Sequence, residues 1–414
     1  MTTDPYIPRL VDRTLHELFS QLPALLVVGP RAIGKTTSAS RLASSVVRLD
    51  APAEAAAFRF DADSALGAMP EPVLLDEWQE VPQLMGAVRR AVDRDPRPGR
   101  FLLTGSARAR READAWSGIG RVVNVRMYGL TLRELLGRCD GAAFLDRLAA
   151  GGLGPFPAPE DPPDLRGYVQ LALRGGFPEP ALRLRNAARQ SWLDSYVDQL
   201  VTRDAESLAG VRDPVLLRRY FEALCLNTAG FVQDKTLYEG AGVNRLTAQA
   251  YERLLSDLFV FDALPAWSHN RLSRLVKGPK RYLVDPSLVG AALRLDEGAA
   301  LRDGGLLGRI IDTFVAAQLR PEVELSAARP RLHHLREKDG RHEIDLVAEL
   351  AGAEVLALEV KASAAPNEGD ARHLAWLRER LGQRFVAGAV LHTGPRPFVL
   401  GERILALPIC SMWS

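Results

Sequence analysis

Apolar runs alternate with amphipathic, helix-period stretches between Ala24 and Tyr128, the pattern of a parallel α/β sheet. The predicted strands are Ala24–Val28, Val46–Leu49, Val73–Leu75, Arg100–Leu103 and Arg121–Tyr128. The Gly- and Pro-rich stretch Gly151–Pro163 then reads as a loop or linker. From Leu165 to about Leu264 the periodicity is helical. Within it, Gln233–Gly240, a turn at Ala241–Asn244 and Thr247–Phe259 suit a helix–turn–helix. A hairpin-like segment runs from Trp267 to Val284, and the chain turns polar and Gly-rich again near Glu297–Gly305. The remainder reads as α/β, with helices near Leu306–Leu319 and Asp370–Leu381 and strands near Glu343–Leu350, Glu354–Lys361 and Arg384–Leu391. The pattern divides the chain into an α/β part (1–150), a linker (151–164), a helical part (165–295) and a second α/β part (296–414).

A length of 414 residues fits two or three domains, and 47% hydrophobic with 25% charged residues is the balance of ordinary globular domains. The net charge of +2 gives no global bias toward polyanions. Cys139, Cys225 and Cys410 stand apart with no C-x-x-C spacing, which argues against a disulfide framework or zinc site and fits a reducing cytoplasm. No apolar stretch of transmembrane length and no secretory start is present, so no membrane partner is expected.

The first predicted strand runs into Gly29-Pro30-Arg31-Ala32-Ile33-Gly34-Lys35-Thr36, and Thr37 continues into a helix. This is G-x-x-x-x-G-K-[ST] in the strand–loop–helix order that a P-loop needs. Backbone N–H groups of such a loop curl around phosphate oxygens at a helix N-terminus. Lys35 is expected on the β/γ-phosphates and Thr36 on Mg²⁺, which makes ATP and Mg²⁺ the expected cofactors and ATP and ADP the expected ligands. A second apolar strand ends in Asp76-Glu77, where the first acid is expected to hold Mg²⁺ and the second to polarise the attacking water. The spacing between the two motifs leaves room for helix, strand and helix, which inserts a strand between the P-loop strand and the acidic one. Thr104-Gly105-Ser106 ends the next strand; Thr104 or Ser106 could sense the γ-phosphate, or the triplet could be a plain turn. Arg121 opens the following strand and could reach a neighbouring subunit's nucleotide, which would require a homo-oligomer, or could be a surface arginine.

Two further features carry charge. Arg271, Arg274, Lys277, Lys280 and Arg281 follow one another with no acid between, a composition that suits phosphate contacts of a nucleic acid and equally an acidic neighbour or water. Farther on, E-I-D-L-V-A-E-L and E-V-L-A-L-E-V-K flank Ala351-Gly352-Ala353. Centring a hairpin on Gly352 sets Asp345 opposite Glu359 and Lys361 opposite Glu343, with Ile344, Leu346, Leu356 and Leu358 on the other face. Facing carboxylates repel, and a divalent cation would relieve the repulsion.

These stretches are where the chain resembles a known family: the bacterial and archaeal AAA-type ATPases that carry a C-terminal domain of unknown function, DUF4143. Matching motifs are Tyr6-Ile7-Pro8-Arg9, GPRAIGKTT (29–37), LLDEWQEVPQL (74–84), LLTGSA (102–107) and GIGR (118–121). They continue with LTLREL (130–135), RGGFPEP (174–180), YVDQLVTRD (196–204), KGPKRYLVD (277–285), HEIDLV (342–347) and LEVKAS (358–363). The resemblance implies an α/β chain with an AAA-type P-loop domain, a winged-helix-like middle segment and a C-terminal domain of the PD-(D/E)xK nuclease-like fold. In that fold Asp345 and Glu359 would hold Mg²⁺ and Lys361 would orient water or steady the transition state. The family places a glutamate on the preceding helix in a G-x-x-x-E-x-x-V setting; here Gly308–Val315 supplies Asp312, one methylene shorter, as the third metal ligand. Two functions follow as expectations: an ATPase coupled to Mg²⁺-dependent DNA or RNA cleavage, or an ATP-driven oligomerising switch that binds DNA or protein without cutting.

Overall fold

The computed structural model describes residues 6–106, 120–204, 213–270, 274, 277–337 and 340–414, with backbone alone at 203 and 204. The chain forms two compact units. The first comprises Met1–Gly129 with the short pieces Phe177–Glu179 and Leu254–Val260, and the second the remainder.

The first unit is built on a parallel sheet of β1 (Ala24–Val28), β2 (Ser45–Arg48), β3 (Val73–Asp76), β4 (Phe101–Gly105) and β5 (Val123–Arg126). Each predicted strand forms within two residues of its expected ends. The spatial order is β2-β3-β4-β1-β5. A strand does lie between the P-loop strand and the acidic strand, but it is β4, while β2 takes the sheet edge. Parallel strands covered on both faces must be apolar on both. Ala24, Leu26, Leu75 and Leu103 pack with Phe58, Val88 and Val92 of flanking helices, and the intervening Leu25, Val27, Leu74 and Leu102 are as deeply buried. This apolar frame brings the C-terminal ends of β1, β3 and β4 side by side, the edge at which open α/β sheets bind ligands.

In the second unit, helices span Leu165–Arg174, Asn186–Gln199, Pro214–Leu226 and Asp234–Gly240; a short turn then leads into the helix Arg245–Asp257, whose residues from Leu254 onward belong to the first unit. The antiparallel hairpin after it is β6 (Phe261–Leu264) with β7 (Lys280–Leu283). The expected hairpin, Trp267–Val284, therefore misses its first strand. Leu258-Phe259-Val260-Phe261 is apolar throughout, and periodicity cannot separate helix from strand there. The turn is made by Phe259, whose backbone is left-handed at φ 59°.

The C-terminal part is a mixed sheet in the order β12-β13-β11-β10-β9-β8. Its strands are β8 (Arg331–Arg336), β9 (Glu343–Glu349), β10 (Val355–Val360), β11 (Phe385–His392), β12 (Phe398–Gly401) and β13 (Ile404–Pro408). Helices Gly304–Val323 and Arg372–Leu381 accompany it. β8 escapes sequence reading because Arg331-Leu332-His333-His334-Leu335-Arg336 has few apolar residues, although His333 and His334 are buried. No helix of the described residues is long and apolar enough to cross a membrane.

The central strand of the first unit sets its stability. Leu102 is fully buried in β4, so Leu102→Ala should cost about 2–5 kcal/mol in the urea transition that reports this unit. An unchanged midpoint would contradict the packing described.

Candidate functional site

The loop between β1 and the helix Lys35–Ala39 is shaped by glycine at two points. Gly34 caps the helix in the left-handed region at φ 93°. A Cβ on Gly29 would fall 2.3 Å from the Met127 carbonyl oxygen, so backbone passes there where no side chain fits. Arg9, buried, braces the loop: one guanidinium nitrogen donates to the Ile33 carbonyl at 2.9 Å and the other to the Tyr128 carbonyl at 2.7 Å. Tyr6 adds a second brace, with its hydroxyl 2.9 Å from Ser38 Oγ in the helix and donating to Asp12. Pro30, Arg31, Ala32 and Thr37 lie along this loop, with Arg31, Ala32 and Thr37 exposed and Ile33 buried.

Lys35 is only 4% exposed, and its ammonium donates to the carbonyls of Gly29 (3.1 Å) and Pro30 (2.8 Å). Burial pulls its pKa down to about 8; Asp76 and Glu77 oppose that pull and Arg31 adds to it. No carboxylate bonds it directly, so the loop holds a cation that gains from a bound anion.

The two acids at the end of β3 stand in one hydrogen-bonded set with β4. Thr36 Oγ1 donates to Asp76 Oδ1 at 2.7 Å, and the Thr104 hydroxyl donates to the same oxygen. Thr104 also accepts from the Glu77 backbone N–H at 3.1 Å. Glu77 is left-handed at φ 53°, a conformation that costs a β-carbon residue roughly 1–2 kcal/mol. Its carboxylate accepts from Ser106 Oγ at 2.7 Å and from the Gln79 amide, and Arg31 Nε donates to Ser106 at 3.3 Å. Strain held in place by several bonds is a feature of functional sites. Lys35, Thr36, Asp76, Glu77, Thr104 and Ser106 thus converge. Arg121 lies apart from that set, with Nε donating to Asp93 Oδ1 at 2.8 Å in an exposed pair. Gln79, Tyr6 and Arg9 were not read as site residues; the Tyr6–Arg9 stretch was the one available signal for the last two.

Three family models match the chain: an AAA domain over residues 21–136, a domain of unknown function, DUF8612, over 165–299, and DUF4143 over 307–412. The chain thus carries an AAA-type P-loop ATPase domain and a C-terminal DUF4143 domain. Two uncharacterized proteins, from Mycobacterium bovis and Mycobacterium tuberculosis, are each 29% identical to it over 401 residues, 96% of this chain and 81% of theirs. A solved Walker-type ATPase of Pyrococcus abyssi covers 69% of this chain and 94% of its own at 14% identity, with a TM-score of 0.41, too remote to carry an inference.

The ATPase has a second charged cluster in its DUF4143 part, and it differs from expectation. The β9–β10 register has the predicted pairing, with Leu346 opposite Leu358 and Val347 opposite Ala357, which carries Asp345 toward Glu359. The cation beside the acids, however, is Lys280. Its ammonium, 0% exposed, donates to Asp312 Oδ2 at 2.6 Å and Asp345 Oδ1 at 2.7 Å. Tyr282 donates to Asp312 Oδ1 at 3.0 Å, the Val360 N–H donates to Asp345 Oδ2 at 2.9 Å, and Lys361 donates to Glu359 Oε1 at 2.9 Å. The three expected metal ligands are therefore drawn into ion pairs. Among the described residues, no group of three or more His, Cys, Asp or Glu stands ready to hold a metal.

The basic stretch likewise turns inward. Arg271 lies outside the described residues. Arg274 grips both oxygens of Glu349, at 2.6 and 2.9 Å, and Arg281 pairs with Asp234 and Glu252. Lys277 Nζ donates to the Arg336 carbonyl at 3.4 Å. The four described cations of this stretch serve internal partners, so the sequence's apparent basic patch does not face outward as a block.

Lys35 sets a pH dependence with a definite sign. A bound triphosphate favours the charged lysine, so affinity is full below about pH 8 and falls as the pH rises through that value. The dissociation constant for ATP, measured from about pH 7 to 9.5, should rise by up to roughly tenfold per unit above the break. A flat profile in this window would contradict the buried, anion-seeking lysine.

Proposed function

We propose that the chain is a Mg²⁺-dependent ATP hydrolase working as a nucleotide-driven, self-associating switch. The observation that carries this is the hydrogen-bonded set of Thr36, Asp76, Thr104, Glu77 and Ser106 at the mouth of the P-loop. Glycine-shaped backbone and the Lys35 ammonium would receive the phosphates. The Thr36 hydroxyl and the Asp76 carboxylate, already 2.7 Å apart, are an oxygen donor pair that suits a small hard cation, and they would hold Mg²⁺. The ion would supply charge that offsets the negative charge spreading over the transferred phosphoryl group.

Glu77 is the proposed general base. A water attacks the γ-phosphorus, its proton passes to the Glu77 carboxylate, and the bond to the β,γ-bridging oxygen breaks to leave ADP. Ser106 and Gln79 hold that carboxylate until water displaces them, and Thr104 fixes the strained Glu77 backbone. Arg121 is the proposed finger for a neighbouring subunit's nucleotide. Its exposed bond to Asp93 supports this role, because such pairs are worth only about 0–1 kcal/mol and exchange readily for phosphate.

The switch is favoured over coupled cleavage by the Lys280 ion pairs at the DUF4143 acids. The helix–turn–helix and its β6–β7 hairpin still offer a winged-helix-like reader of DNA, although the internal pairing of Arg274, Lys277, Lys280 and Arg281 withdraws the support that their charge seemed to lend.

Glu77→Gln should bind ATP as before while kcat falls by about 10²–10⁴-fold. With ATP it should also form a higher-mass assembly by light scattering than the nucleotide-free protein. Arg121→Ala should lose about 10³-fold or more of kcat, restored in part by mixing with subunits that keep Arg121 but lack Lys35. Full activity in Glu77→Gln, or one mass with and without ATP, would sink the proposal.

A further inference from the structure

A restriction-endonuclease-like site needs its acids free to ligate a metal, and the oxygen inventory of this one runs the other way. Asp312 and Asp345 have four carboxylate oxygens, and each accepts from a protein donor. Lys280 takes Asp312 Oδ2 and Asp345 Oδ1, Tyr282 takes Asp312 Oδ1, and the Val360 N–H takes Asp345 Oδ2. Glu359 gives Oε1 to Lys361, while its Oε2 is buried without a hydrogen-bond partner.

Aromatic rings flank Lys280 as well. Its ammonium stands 5.3 Å from the Phe231 ring centre and 5.4 Å from that of Tyr282, inside the range of cation–π attraction. Burial alone would push this lysine down, but Asp312 and Asp345 outweigh burial and hold it well above the usual lysine range. A divalent ion entering here would have to expel a fully buried, charged lysine from its bonds to both Asp312 and Asp345. It would also have to break the bonds from Tyr282 and Val360.

We propose that Lys280 is the resident cation of this site, a side chain standing where a divalent metal would be bound. The native DUF4143 domain therefore takes up no Mg²⁺ at Asp312, Asp345 and Glu359 and does not hydrolyse phosphodiesters there. Because Lys280 belongs to β7 while the acids belong to the helix Gly304–Val323 and to β9, the ion triplet works as a tie. It locks the β6–β7 hairpin to the C-terminal sheet.

The same geometry makes an unusual claim about a substitution. Lys280→Met keeps most of the length of the stem and removes the charge. It leaves two carboxylates facing one another with the spare oxygen of Glu359 nearby, an all-oxygen set of the kind that divalent ions take. Removing the lysine should create a metal site rather than destroy one.

The test uses the full chain, without nucleotide, carrying Asp76→Ala to silence the P-loop contribution, with free Mn²⁺ followed by electron paramagnetic resonance. The parent and its Asp345→Asn derivative should bind Mn²⁺ equally, whereas Lys280→Met should bind one equivalent more, lost again when Asp345→Asn is added. A parent that binds one Mn²⁺ more than Asp345→Asn would overturn the proposal. So would a folded Lys280→Met, judged by circular dichroism, with no added site. Should that variant fail to fold, the parent comparison still decides. A third arm incubates the chain with intact Asp76, supercoiled DNA, Mn²⁺ and ATP. Intact plasmid is expected, and nicking that Asp345→Asn abolishes would overturn the assignment. The Mn²⁺ arms do not depend on ATP turnover, so the proposal stands or falls apart from the ATPase reading.

Discussion

A buried ammonium group must find negative charge, and the two buried lysines among the described residues meet that constraint in opposite ways. Lys35 is enclosed by the carbonyls of Gly29 and Pro30, with Asp76 and Glu77 too far to pair directly, and its pKa falls. Lys280 is enclosed by two carboxylates at 2.6 and 2.7 Å, and its pKa rises. The first arrangement is incomplete without an anion. The second is complete as it stands. One lysine thus defines a binding site and the other closes one, although both follow from the same physics of charge in a low-dielectric interior.

The front site shows how a fold spends stability on function. The apolar sheet of Leu25, Leu74 and Leu102 is rigid enough to hold Glu77 in a left-handed conformation. Thr104, Ser106 and Gln79 then fix the carboxylate beside Asp76. Arg9 and Tyr6 brace the loop from the start of the chain, so its backbone geometry does not depend on the glycines alone. The requirement that shaped the sequence is that Lys35, Thr36, Asp76 and Glu77 converge while staying polar in an apolar setting.

Much of this was legible along the chain, for reasons that differ from element to element. β1 and the P-loop were readable because a buried parallel strand is continuously apolar and the phosphate loop has fixed glycine and lysine positions. The β9–β10 register was readable because a tight hairpin centred on Gly352 leaves no freedom in pairing, as Leu346 opposite Leu358 bears out. β8 was hidden because its buried histidines look polar, and the first strand of the β6–β7 hairpin was hidden in an apolar run with no period. Lys280 was the instructive failure. In sequence it belongs to a basic stretch, 65 residues from Asp345 and 32 from Asp312; in space it is bonded to both. No local pattern reports a pairing of that range. The same holds for Arg274 with Glu349 and Arg281 with Glu252, which turn an apparent nucleic-acid patch into internal ties.

The most direct test of this account is to follow both lysines at once, by nuclear magnetic resonance of isotope-labelled lysine side chains through a pH titration. The account predicts that Lys35 titrates near pH 8 in the nucleotide-free protein and moves upward when ATP binds, while Lys280 stays charged throughout and ignores Mg²⁺. A Lys280 signal that titrates in or below the ordinary lysine range, or that shifts with Mg²⁺, would contradict it.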